Sequence, residues 1–138
     1  MNHKDIAQRF EQFFQASHNK DLGFTAHSLL SVDQFLQDLK TRRLSTTVRK
    51  QMVRAAGIYA GEVLIRNLHG SWVKLERREL LDALKVDWAV KLKCGTLANP
   101  ILKCEKIAIG IKGEANSLSV LYQWCEQLGD RANVPRPL

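Results

Sequence analysis

Glu62 is the residue with the most chemical potential in the sequence, because it is the one acid in an otherwise apolar or basic stretch, beside Gly61. A carboxylate in such surroundings must find a partner or shift its pKa, and a buried acid with a raised pKa can act as a general base. Arg66 follows four residues later, the favourable orientation for an ion pair along a helix. The segment after Gly70 adds backbone donors and the Trp72 indole N–H. Catalysis would need a second titrating group or an oxyanion donor, and His69 is the only nearby candidate. The pattern therefore reads as a structural anchor of Glu62, Arg66 and Trp72 tying a helix to the following strand, with no catalytic residue assigned.

The other reactive side chains form no constellation. Cys94, Cys104 and Cys125 are odd in number and widely spaced, which suits reduced thiols packed in a core rather than a disulfide framework. His3, His18, His27 and His69 show no metal-ligand spacing, so neither a metal nor a cofactor is expected.

Charge is the second feature that could act on a partner. The formal net charge of +7 is concentrated in residues 41–78, which hold nine bases against Glu62 and Glu76. Residues 1–40 are net −1 and the remainder net +1. Arg42, Arg43, Arg49, Lys50 and Arg54 cluster at one junction and form the candidate binding patch. Such a patch raises the association rate of an acidic protein surface or a polyanion. The first expectation is a non-enzymatic adaptor docking an acidic partner protein; the alternative is a nucleic-acid-binding domain that uses residues 42–54 on phosphates. A helix-turn-helix reading is weakened by the following helix, which is too long and too apolar to lie in a major groove. No aromatic and basic stacking platform of the single-strand-binding kind is present, since Trp72 and Trp88 are expected to face the core.

These residues need elements to hold them. Ile6, Phe10, Phe13 and Phe14 make the stripe of an amphipathic helix over roughly residues 3–17. Ser31 with Gln34 reads as a capping box for a short second helix carrying Val32, Phe35, Leu36 and Leu39. Ser45, Thr46 and Thr47 offer caps for a third helix running to about Leu68, with Gly70 as its stop. Its middle, residues 55–61, is apolar on nearly every side and implies burial against several partners. Gly57 and Gly61, four apart, imply close approach of another backbone. A short strand is expected from Trp72 to Leu75, and a second where Trp88, Val90, Leu92 and Cys94 alternate with Asp87, Ala89, Lys91 and Lys93. Residues 78–85 fit either a helical turn or a continued hairpin. Asn99-Pro100 starts a helix that stops at Gly110, and Asn116 or Ser117 caps a last helix ending at Gly129, before a frayed tail over 130–138.

Tyr59-Ala60-Gly61-Glu62-Val63 with Arg66, followed by Gly70-Ser71-Trp72-Val73, resembles a family of bacterial domains of unknown function over roughly residues 50–110. In those domains a Y-x-G-E helix leads through a glycine turn to a tryptophan-bearing strand, a second strand and an N-P helix, matching Asn99-Pro100 here. They tend to have two glycines before the tryptophan, where this chain has Gly70-Ser71. The resemblance implies an α+β fold and carries no activity, so it transfers no catalytic residue.

The expected architecture is thus one mainly helical α+β domain over 1–138, a long buried central helix against a two-stranded antiparallel sheet. At 138 residues such a chain buries enough surface to need no disulfide or metal staple. The polar start and the lack of a long apolar run point to a cytoplasmic protein with no membrane segment. No pattern sets an oligomeric state.

Overall fold

In the computed structural model, which describes residues 2–75, 88–110 and 117–132, helices dominate and a small antiparallel sheet completes an α+β fold. The described elements are α1 (His3–His18), α2 (Ser28–Asp38), α3 (Thr46–Leu68), β1 (Ser71–Lys74), β2 (Trp88–Lys91), β3 (Leu97–Ala98), α4 (Pro100–Ala108) and α5 (Leu118–Ala132).

Helix α3 organises the rest. Ser45 caps it by accepting the Val48 N–H at 3.2 Å, and its 23 residues span about 34 Å at 1.5 Å per residue. Every residue from Ala56 to Leu64 is buried, as an all-round apolar stretch requires. Helices α1, α4 and α5 and the sheet pack around it. Its two glycines make room for different neighbours. A Cβ on Gly57 would lie 2.6 Å from the Ile101 Cα, so α4 approaches backbone to backbone, as expected. At Gly61 the neighbour is instead the six-membered ring of Trp72, a side chain rather than a main chain.

One loop is fastened to α3 from two sides. Phe24 holds φ +55° and donates its N–H to the Tyr59 hydroxyl at 3.1 Å, while its carbonyl accepts from Asn67 Nδ2 at 3.0 Å. Ser28 Oγ spends its proton on the Thr25 carbonyl at 2.6 Å, so Tyr59 donates to Ser28 across 2.8 Å. Asp33 on α2 supplies the start of α5, accepting Leu118 N–H at 2.7 Å, Ser119 N–H at 3.3 Å and the Ser119 hydroxyl at 3.0 Å.

Several boundaries differ from expectation, each for a local reason. The sheet has three strands, not two, in the order β1-β2-β3. The alternating run ends in a turn at Gly95, φ +94°, where Leu92 N–H reaches the Thr96 carbonyl at 2.9 Å, and β3 then pairs Ala98 with Val90. Cys94 therefore sits in the turn. Ala89 is buried rather than on an exposed charged face, because central β2 packs against both α3 and α4. Helix α2 begins a turn before Ser31, nucleated where Thr25 Oγ1 accepts the Ser28 N–H, so Ser31 is not its cap. Helix α3 stops on His69 in the left-handed region, φ +59°, not on Gly70. Gly70 serves close packing instead, since its Cβ would fall 2.8 Å from Val90 Cγ1. Helix α5, capped by Ser117 Oγ on Val120 N–H at 3.0 Å, runs through Gly129 to Ala132. The readings made for 78–85, Asp87, Asn116 and the tail beyond 132 lie outside the described residues.

Candidate functional site

Glu62 lies on the α3 face that meets β1, and its environment follows from the missing side chain at Gly61. The space lets the Trp72 indole lie against α3, and Trp72 Nε1 donates to Glu62 Oε2 at 2.9 Å. Glu62 is 1 % exposed. Its second oxygen, Oε1, has no hydrogen-bond partner among the described residues. Arg66 Nη2 is 3.9 Å from it, beyond hydrogen-bonding range. The Arg66 guanidinium is drawn elsewhere, with its carbon 3.6 Å from the centre of the Phe24 ring, a cation–π stack.

The structural anchor is thus assembled from the three residues that the sequence brought together. Trp72 donates the hydrogen bond to Glu62, and Arg66 makes a long i,i+4 ion pair with its other oxygen. His69 is exposed at the end of α3 and is not the histidine of this site. That residue is His3, from the first turn of α1, whose ring stacks on Trp72 at 4.3 Å and 15° and meets Trp88 edge-on at 4.6 Å.

These groups border an open cleft of about 630 Å³. Asn2, His3 and Lys4 bring the start of α1 to one side, while Glu62 and Ile65 form the α3 side. Ser71 and Trp72 close it from β1. Asn2 caps α1 by accepting the Asp5 N–H at 3.1 Å, which fixes where the helix begins relative to the cleft. One signal in the sequence could have found His3. The buried stripe of α1 is His3, Ala7, Phe10 and Phe14, the helical period carried back one turn from Phe10 through Ala7.

The basic patch divides at the other end of α3. Arg42, Arg43 and Lys50 are exposed. Arg49 is turned inward: Nη1 donates to the Leu39 carbonyl and Nη2 to the Arg42 carbonyl at 2.8 Å. It thereby closes the chain between α2 and α3 and is spent on structure. Arg54 is half-buried, and it and Lys50 lie close enough to Glu105 of α4 to oppose the upward push that burial gives the Glu105 carboxyl. The patch is therefore bordered by an acid that sequence order did not place there.

Two of the three thiols are buried. Cys104 is fully buried, and burial pushes its thiol well up; burial also pushes Cys125 up to about 11. Among the described residues no three His, Cys, Asp or Glu side chains gather closely enough to hold a metal ion, and no helix is long and apolar enough to cross a membrane. Compared with protein families, curated proteins and solved structures, the chain finds no match.

Proposed function

We propose that the protein is a non-enzymatic adaptor that docks an acidic surface of a partner protein through Arg42, Arg43 and Lys50, with no cofactor. The observation that supports this most directly is the Arg49 clamp. By binding the carbonyls of Leu39 and Arg42 it restrains the connection that carries two exposed arginines. A restrained display loses less side-chain and backbone entropy on docking than a loose loop would.

Glu105 favours a protein over a nucleic acid as the partner. A phosphate backbone is a continuous line of negative charge, best met by an unbroken basic track. Here the carboxylate of Glu105 sits beside Lys50 and Arg54, whereas a discrete acidic side chain can pair with Arg42 or Arg43 and avoid it. Bidentate arginine–carboxylate pairing gives that contact direction as well as charge.

The test compares the wild-type chain with R42E/R43E, both immobilised and exposed to extract of the native cell with and without nuclease treatment. The proposal expects one stoichiometric acidic protein on the wild type that is lost on the variant. Once purified, that protein should bind the variant at least about tenfold more weakly, since reversed charges repel at the same contact. If nuclease treatment abolishes capture, or duplex DNA is retarded by micromolar protein with affinity falling steeply in salt, the nucleic-acid reading replaces it.

A further inference from the structure

We propose that the cleft between the start of α1 and Glu62 binds a small zwitterion of the α-amino acid class, its ammonium on Glu62 and its carboxylate at Lys4. This site is separate from the basic patch and does not depend on the adaptor reading.

The floor of the cleft selects a cationic donor. Glu62 Oε1 is a buried carboxylate oxygen without a hydrogen bond among the described residues, in a residue 1 % exposed that lines the cleft. Buried polar atoms of native proteins are satisfied in the great majority of cases, and a buried carboxylate oxygen most of all needs a donor. Arg66 offers a long ion pair but no hydrogen bond, because its guanidinium is 3.9 Å away and stacked on Phe24. The carboxylate is also held in place: Trp72 Nε1 fixes Oε2, and His3 covers the indole, so Oε1 cannot rotate toward solvent without breaking a buried bond. An incoming ammonium has three donors, one of which reaches Oε1 once the groups that cover it on the cleft side shift.

The rim selects an anion. Lys4 is exposed and lines the same cleft, and it belongs to the first turn of the 16-residue α1, whose dipole presents positive potential there. Ser71 adds a hydroxyl on the opposite side. A simple cation would satisfy Glu62 but face Lys4 and the α1 terminus unfavourably. A simple anion would meet the reverse problem at the floor. A molecule carrying both charges answers both, and a volume of about 630 Å³ is within the usual range for small-molecule sites.

The experiment is calorimetric titration of the full chain with the twenty free α-amino acids, each up to 10 mM, a ceiling of the order where binding free energy is only a few kcal/mol. The expected result is saturable binding of at least one. For that amino acid, both the N-acetyl derivative and the decarboxylated amine should bind at least tenfold more weakly. E62Q should lose at least tenfold, and K4M, an exposed substitution that leaves folding intact, several-fold. The proposal is overturned by any of three results: no amino acid binds, the amine alone binds as well as the amino acid, or K4M and a folded E62Q both retain wild-type affinity. None of these bears on capture by Arg42 and Arg43, so the two proposals fail independently.

Discussion

Asp33 and Glu62 are both buried carboxylates, yet among the described residues only Asp33 has both oxygens hydrogen-bonded. Asp33 accepts three, on both oxygens, and each comes from the first turn of α5. Among the described residues Glu62 accepts one, from the Trp72 indole, and its other oxygen is buried in a side chain that lines a cleft. The first arrangement is complete without anything outside the chain. The second is not. A buried acid that is saturated by backbone N–H groups belongs to the architecture, whereas one left half-satisfied beside open space marks a place where a ligand donor would gain a desolvated partner.

The sharpest way to break this contrast is to remove each acid in turn. D33A leaves the Leu118 and Ser119 N–H groups without their acceptor at a helix start and should cost about 2–3 kcal/mol in urea unfolding. The loss should concentrate in the packing of α5 against α2, read by hydrogen exchange of the α5 amides.

Next in size is G61A. The added Cβ would lie 2.2 Å from Cη2 of the Trp72 ring, so the indole must shift and its bond to Glu62 must lengthen or break. Overpacking of this kind should cost about 2 kcal/mol. It should also change the tryptophan emission, which G57A, whose clash is with the α4 backbone at Ile101, should leave closer to wild type. Equal emission changes in both variants would mean that Gly61 does not set the position of the indole.

E62Q should have a smaller effect. The amide oxygen can still accept from Trp72, and the substitution removes a buried charge that lacks full compensation, so stability should stay within about 1 kcal/mol of wild type. A loss as large as that of D33A would place Glu62 among the architectural acids and dissolve the distinction drawn above.

Much of this was legible in the sequence where the cause was local. The Ser45 cap, the Asn99-Pro100 start and the all-round apolar middle of α3 are signals contained within a few residues, and each corresponds to an observed feature. The Gly57 contact was legible too, because few reasons other than close approach put a glycine in a buried helix. What the sequence left hidden is what depends on chain segments far apart. Nothing near Glu62 announces that His3 covers its tryptophan, or that Arg66 prefers Phe24 across the Asn67-fastened loop. Arg49 looked like one more cation of a patch because its acceptors are carbonyls, which every residue carries and no motif marks. The Asp33 cap was invisible for the same reason: its donors are backbone N–H groups of a distant helix.

The smallest effect concerns pH, and it tests whether Asp33 pays anything for its burial. Burial pushes its carboxyl above the usual 3.8, opposed by the bonds from Leu118 and Ser119. With the folded pKa raised, the native state holds this proton to higher pH than the unfolded chain does. Asp33 therefore contributes most below pH 3.8, and stability falls as pH rises through the raised folded value. D33N cannot titrate at this position. Subtracting its unfolding free energy from that of the wild type, pH by pH, should give a difference that declines from pH 3 upward and then levels. The α5 dipole acts in the opposite sense, because the start of a helix favours the ionised form. A difference that grows with pH would mean that this dipole and the two N–H bonds outweigh desolvation. Asp33 would then be a carboxylate stabilised by its site, widening its contrast with Glu62 rather than narrowing it.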